Sequence, residues 1–189
     1  MIQMRVRIAP DRVLALDIRR SRFGFVVLEG AERLLDWGIC RLTRRSESCY
    51  AVMRRRIVRL LDTYDPTFVV SQEVDHFKKI LINKSAPVAN VVREEAKRHG
   101  SMWQTLEART VRSFFRNHDA TNKAEIASTL AEWYPDIAWK LPPKRKPWQS
   151  EDYRMSVFDA AALGTAYLAL KANELRGRAV VRSDGRVLS

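Results

Sequence analysis

The 189-residue sequence has few cysteines and no long apolar run. Its two cysteines, Cys40 and Cys49, have neither the spacing of a metal site nor the density of a disulfide-stabilised fold, so we expect a reduced protein. No stretch approaches the roughly 18 consecutive apolar residues that a transmembrane helix needs, so no membrane span is expected. Residues 1–12 lack the apolar core of a signal peptide, and we therefore expect a cytoplasmic location.

Acidic residues are scarce relative to basic ones. The chain has 22 Asp and Glu against 34 Lys and Arg, which gives a formal net charge of +12. Such an excess favours a polyanionic partner, and nucleic acid before an anionic membrane, because no helix pairs a basic face with a broad apolar one. A basic protein kept in solution by its charge is the alternative that composition leaves open.

The apolar pattern predicts one α/β domain. Three β-type runs joined by short links indicate an antiparallel meander, and two later runs each follow a helix, as in parallel crossovers. The predicted order is β-β-β-α-β-α-β followed by helices, a mixed sheet flanked by helices. We assign residues 1–12 to an N-terminal extension, 13–172 to the domain and 173–189 to a basic tail. The predicted strands are 13–18, 23–29, 34–42, 67–70 and 101–106, and the predicted helices are 48–63, 86–99, 109–116, 122–134 and 150–172.

Three carboxylates interrupt apolar or small-residue segments at points that this topology can bring together. Asp17 lies near the end of the first strand, Glu73 at the end of the fourth and Asp159 in the last helix. Open α/β sheets bind ligands outside strand ends. Converging carboxylates repel one another unless a cation lies between them, and Mg²⁺ or Mn²⁺ prefers such oxygen ligands. Because two such ions can activate water and stabilise a leaving oxygen, the pattern predicts metal-assisted phosphodiester hydrolysis.

Each of these carboxylates also has an ordinary structural interpretation. Asp17 could begin a basic turn, Glu73 could form a surface ion pair and Asp159 could face solvent on its helix. Their joint placement favours the site.

A basic loop beside Trp148 is a separate candidate. It is either a solvated loop or a patch that binds phosphates and stacks bases; its basic residues are Lys144, Arg145 and Lys146.

Three segments together resemble a known family. The segments LALDIRRSRFGFVV, VVSQE and FDAAALG are similar to those of the RuvC-like nucleases of the ribonuclease H-like fold, above all the RuvC Holliday-junction resolvases. The similarity extends over residues 13–172. It implies a five-stranded mixed sheet, with three antiparallel strands followed by parallel ones and helices on both faces. It also implies a homodimer that cleaves branched DNA as an endonuclease with Mg²⁺ or Mn²⁺.

The resemblance implies a centre with two divalent ions and assigns roles to individual residues. Asp17, Glu73 and Asp159 would be the metal ligands, and Lys123 would lie near the scissile phosphate. The segment after the fourth strand would meet DNA through Phe77 and Lys84.

The sequence departs from the family pattern at two places. Arg19 and Arg20 stand where the family has a glycine soon after the first aspartate, so their guanidinium groups could hold phosphate instead of a closely approaching backbone. Ser156 stands where resolvases carry an acid or a histidine, and it supplies no charge. Asp152 lies about 10 Å further back along a helix, which is too far from Asp159 to share the same ions.

Two alternative functions stay open on this evidence. One is a catalytically weakened relative that binds nucleic acid or a protein partner, which Ser156 favours. The other is an RNA-processing nuclease of the pre-16S ribosomal RNA type, in which three acids suffice. A sugar-kinase-like ATPase is excluded, because it needs a duplicated domain and glycine-rich phosphate loops that this chain lacks.

Overall fold

The computed structural model describes residues 11–19, 22–41, 49–73, 86–143, 148 and 150–183. Within these residues the chain forms five strands and six helices. The strands are β1 (Arg12–Ile18), β2 (Arg22–Glu29), β3 (Arg33–Arg41), β4 (Phe68–Gln72) and β5 (Met102–Leu106). The helices are α1 (Cys49–Tyr64), α2 (Ala86–His99), α3 (Ala108–Arg116), α4 (Lys123–Trp133), α5 (Pro135–Ala138) and α6 (Met155–Ser183).

The five strands form one mixed sheet in the order β3-β2-β1-β4-β5. β1 and β2 pair antiparallel, as do β2 and β3, whereas β4 is parallel to both β1 and β5. The central strand β1 is a continuous buried run, as expected for a strand covered on both faces. The predicted fold class, three antiparallel strands followed by parallel ones, is confirmed.

Helices cover both faces of the sheet, and side-chain alternation divides the core into two clusters. Val13 and Ala15 of β1 face the cluster that contains α6, whereas Leu14 and Leu16 face the cluster of α1 and α2. Asp17 follows Ala15 by two residues, so the alternation places it on the α6 face. The fold therefore directs this carboxylate toward the last helix.

The last helix differs from its prediction at both ends. It begins at Met155 instead of after Ser150, because Asp152 forms a turn first: its Oδ1 accepts the backbone N–H of Arg154 at 2.9 Å. It continues to Ser183, past the predicted end near residue 172. The division into extension, domain and tail stays a prediction. Although α6 is 29 residues long, neither it nor any other helix of the described residues is apolar enough to cross a membrane.

Candidate functional site

Asp17 is a buried carboxylate that accepts hydrogen bonds from two neighbouring side chains. It is 3% exposed, one residue before the end of β1. Arg19 Nε donates to both carboxylate oxygens at 2.9 Å, and Ser156 Oγ donates to Oδ2 at 2.6 Å. An unpaired carboxylate would be costly to bury here. Its position on the strand is therefore stable only together with these partners.

Arg19 also joins Asp17 to Asp159. Its Nη2 donates to Asp159 Oδ2 at 2.8 Å. Burial lowers the pKa of Arg19, but the charge and hydrogen bond of Asp17, with the charge of Asp159, outweigh this effect and leave the pKa raised. One guanidinium thus bridges the two carboxylates between which the sequence predicts a metal ion.

Lys123 supplies a second cation. Its Nζ lies 2.9 Å from Asp159 Oδ2 and 2.7 Å from Glu151 Oε1. Burial lowers the pKa of Lys123, yet the charge of Asp159 and the hydrogen bonds to Glu151 and Asp159 raise it on balance. The lysine is the first residue of α4, where a capping box between Asn122 and Glu125 fixes the helix start. This local structure brings the ammonium group to Asp159.

The pKa of Asp159 is affected by burial and by a second carboxylate, that of Asp17. This pKa is raised, first by burial and then by the charge of Asp17, while Lys123 and Arg19 oppose the change. Asp17 and Asp159 are therefore close enough to repel each other. Such a pair has the oxygen donors and the negative charge that Mg²⁺ or Mn²⁺ requires, so the two residues fit a divalent ion in kind.

A glycine on the neighbouring strand lets α6 reach Asp17. Gly24 of β2 is the register partner of Asp17, and a Cβ atom at Gly24 would lie 2.2 Å from the carbonyl oxygen of Ser156. The first turn of α6 therefore lies directly on the backbone of β2. Sequence reasoning missed this role, although a glycine inside a strand is a known sign of close backbone approach.

Glu73 follows β4 at the same end of the sheet as Asp17, but it makes no contact with either aspartate among the described hydrogen bonds and ion pairs. Leu16 pairs with Ser71, so continuing the ladder sets Gln72 beside Asp17 and Glu73 one residue beyond. Glu73 is exposed, and its backbone N–H donates to Leu106 O at 2.8 Å. In the described ranges, no three Asp, Glu, His or Cys side chains are arranged to hold a metal ion. A ligand role for Glu73 stays a prediction.

The other sequence-predicted residues divide into two groups. Ser156 contacts Asp17, whereas Asp152 is bound by Arg154 Nη2 at 2.7 Å. Glu151, which sequence reasoning did not select, contacts Lys123 instead, and nothing in the sequence distinguishes it from its neighbour Asp152. The remaining predicted DNA contacts lie outside the described residues; they are Arg20, Phe77, Lys84, Lys144, Arg145 and Lys146.

An open groove of about 1530 Å³ lies beside Lys123 and Glu151. The beginning of α4 and parts of the segment before α6 line it. Its described ionisable residues are mainly acidic, namely Asp119, Glu125, Glu132, Glu151 and Asp152 against Lys123. The groove therefore borders the site at Lys123 and Glu151, but these walls alone do not form a basic surface for a phosphate backbone.

Comparison with known proteins gives no match for the sequence but a clear match for the fold. No family model and no curated protein matches the sequence. A RuvC structure from Thermus thermophilus, however, matches with a TM-score of 0.66 at 15% identity, over 86% of this chain and 96% of that one. The protein has the RuvC fold. The motifs had predicted this fold, and the comparison confirms it.

Two further structures place the RuvC fold among junction resolvases. The yeast mitochondrial Holliday junction resolvase Ydc2 matches with a TM-score of 0.62 at 11% identity, over 94% of this chain and 86% of that one. The fowlpox virus Holliday junction resolvase matches with a TM-score of 0.54 at 10% identity, over 84% and 99%. At such low identities the shared property is the fold.

Proposed function

We propose that the protein is a metal-dependent endonuclease that cleaves branched DNA. The observation that carries the proposal is the convergence of Asp17 and Asp159 at the carboxyl end of the central strand of a RuvC-type sheet. Solved structures with this fold are named as Holliday junction resolvases, and T. thermophilus RuvC has been solved with a junction substrate. The net charge of +12 supports a polyanionic substrate.

The two aspartates are the residues that would hold Mg²⁺ or Mn²⁺, with Glu73 as the third predicted ligand and two ions as the predicted number. When bound, such ions supply an activated water and stabilise the leaving oxygen of a phosphodiester. The protein's own contribution is to fix the ligands. Ser156 holds one oxygen of Asp17 in place through its 2.6 Å hydrogen bond.

Two cationic side chains are available to the substrate phosphate. The Arg19 side chain is 37% exposed and that of Lys123 is 51% exposed, so both have a solvent-facing side as well as a carboxylate partner. A phosphate that approaches the aspartates would meet these cations first. They would offset the repulsion between the phosphate and the carboxylates.

The proposal is tested by comparing the wild-type protein with Asp17→Asn on a four-way DNA junction, duplex DNA and structured RNA, each with Mg²⁺ or Mn²⁺. Wild type should cut the junction in preference to duplex. Asp17→Asn should be slower by roughly 100-fold or more, since losing a metal ligand removes several kcal/mol of transition-state stabilisation. Asp62→Asn on α1, an exposed aspartate on the other face of the sheet, is the matched control and should cut normally.

The same experiment separates the alternatives. A relative that binds but does not cut is favoured by one observation, the guanidinium between the two aspartates. Tight junction binding with no cleavage under either metal would support that alternative and contradict the nuclease. Preference for RNA would support the RNA-processing function, and undiminished cleavage by Asp17→Asn would refute the site. Light scattering on these samples tests the predicted homodimer.

A further inference from the structure

We propose that Arg19 is an internal counterion that competes with the divalent metal for Asp17 and Asp159, and so sets the metal concentration at which the centre forms. The inference rests on the proposed function, because it takes these two aspartates as metal ligands. It concerns a residue that the RuvC-like sequence pattern does not supply, since Arg19 stands where that pattern has glycine.

The contacts of Arg19 use the oxygens that a metal ion would need. Nε lies 2.9 Å from Oδ1 and 2.9 Å from Oδ2 of Asp17, and Nη2 lies 2.8 Å from Oδ2 of Asp159. Three of the four oxygens of these aspartates are thus in contact with the guanidinium. An ion bound jointly by the two carboxylates would have to displace at least part of these contacts, so metal binding and the bridge compete.

The bridge can be released only by movement of the side chain. Arginine stays protonated throughout the physiological pH range, so loss of a proton is not a route out of the contact. The side chain is 37% exposed and lies just after β1, where its backbone N–H bonds Arg22 O at 2.9 Å. It can therefore turn toward solvent while the backbone of the link keeps its hydrogen bond.

Lys123 differs from Arg19 in this respect. The lysine contacts Asp159 but not Asp17, and Glu151 at 2.7 Å is a second partner that it can keep when Asp159 binds an ion. Arg19 instead spans both aspartates. The competition with metal is accordingly assigned to the arginine.

The test is a calorimetric titration of the full-length protein with Mn²⁺ alone, without DNA. Removing the charge in Arg19→Gln should lower the Mn²⁺ dissociation constant about ten-fold, because a unit cation within hydrogen-bond distance of both ligands is lost. Arg33→Gln is the matched control: Arg33 pairs with Glu29 at 2.7 Å, is 71% exposed, and its loss should leave Mn²⁺ binding unchanged. Equal or weaker Mn²⁺ binding by Arg19→Gln would overturn the proposal.

Two further variants make the result specific. In the double variant Arg19→Gln/Asp17→Asn, the gain in Mn²⁺ affinity should disappear. A gain in affinity that persisted would contradict the assignment to this centre. Arg19→Lys keeps the charge but replaces the two-sided fork with a single ammonium, so it should bind Mn²⁺ more tightly than wild type and less tightly than Arg19→Gln. Because Arg19→Lys keeps a counterion for the buried carboxylates, it also serves as the test if Arg19→Gln does not fold.

Thermal unfolding provides an independent measurement. Without metal, Arg19→Gln should melt below wild type, since two facing carboxylates have lost their shared cation. Saturating Mn²⁺ should then raise its melting temperature by more than it raises that of wild type. An equal Mn²⁺-induced shift in the two proteins would argue against competition.

The Mn²⁺ assay tests the competition and the cleavage assay tests the nuclease, so each proposal can be refuted without the other. Tighter Mn²⁺ binding by Arg19→Gln, with no cleavage by either protein, would refute the proposed nuclease and support the competition. Junction cleavage by wild type, with unchanged Mn²⁺ affinity in Arg19→Gln, would refute the competition and support the nuclease.

Discussion

The two faces of the sheet are built from different kinds of residues. On the face of α1 and α2, the core is filled by large side chains such as Phe25, Met53, Ile57 and Leu61. On the α6 face, small residues let the helix approach: a Cβ atom at Gly164 would lie 2.9 Å from Leu28 Cδ1. The first face needs only apolar packing. The second needs close backbone approach as well, and that approach carries Asp159 and Ser156 to Asp17.

The ion pairs of the two faces differ in the same way. On the α1 and α2 side, Glu95 is 6% exposed and receives both Arg54 and Arg98, so two cations neutralise one carboxylate. At the candidate site, one cation is shared by two carboxylates, because Arg19 contacts both Asp17 and Asp159. The first arrangement joins one helix to another. The second joins a strand to a helix through two carboxylates that are also the proposed metal ligands.

The largest expected effect comes from damage to the apolar face. Ile57→Ala on α1 should lower the free energy of unfolding by about 3 kcal/mol, because a fully buried side chain leaves a cavity. Urea unfolding measures the loss. Well below the melting temperature, Mn²⁺ affinity and cleavage per folded molecule should stay at wild-type values. A loss of Mn²⁺ affinity as large as that of Asp17→Asn would show that the two faces are not independent.

A smaller loss of stability, but a larger loss of function, is expected at Gly24. Gly24→Ala should cost about 2 kcal/mol, because the new Cβ meets the backbone of Ser156, which no rotamer change can move. The start of α6 would shift away from Asp17, so Mn²⁺ affinity and junction cleavage should both fall. Calorimetry and a cleavage time course on the folded fraction measure this.

Gly38→Ala is the matched control for Gly24→Ala. Its Cβ would meet Phe25 Cε1 at 2.8 Å, which is the end of a side chain belonging to the other cluster. It should therefore reduce stability and leave Mn²⁺ affinity unchanged. If both glycine variants lost Mn²⁺ affinity equally, close approach of α6 would not be the cause.

Much of the fold could be predicted because periodicity and strand order determine it. Alternation along β1 and the parallel crossover to β4 follow from apolar spacing, and they suffice to bring Asp17 near the last helix. The convergence of Asp17 with Asp159 was accordingly predictable. The start of α6 was not, because the helix begins where the turn at Asp152 allows and not at the first good capping residue.

The remaining features of the site depend on details that the spacing of apolar residues does not determine. A shift of one residue in strand register exchanges the two faces, so the sequence alone could not show that Gln72, and not Glu73, continues the ladder beside Asp17. The bridge made by Arg19 depends on a side-chain conformation, which periodicity does not encode. The first detail depends on strand register and the second on electrostatics at the end of β1.

The smallest effect is expected at Ser156. Ser156→Ala removes one hydrogen bond to Asp17 but leaves the two contacts of Arg19, so stability should fall by only about 1 kcal/mol. The matched control is Ser128→Ala, which removes a hydroxyl that donates to Ala124 O at an exposed position on α4. Urea unfolding of both variants gives this difference.

Function should separate these two serine variants more clearly than stability does. Without Ser156, Oδ2 of Asp17 loses one donor while both contacts of Arg19 remain, so the carboxylate interacts more strongly with the arginine. The balance between arginine and metal should therefore move toward arginine, and the Mn²⁺ dissociation constant should rise about three-fold, with no change in Ser128→Ala. In the Arg19→Gln background the same serine substitution should have a smaller effect, because its competitor is gone. An equal effect in both backgrounds would mean that Ser156 orients Asp17 for the metal directly, and that the contest with Arg19 plays no part in its role.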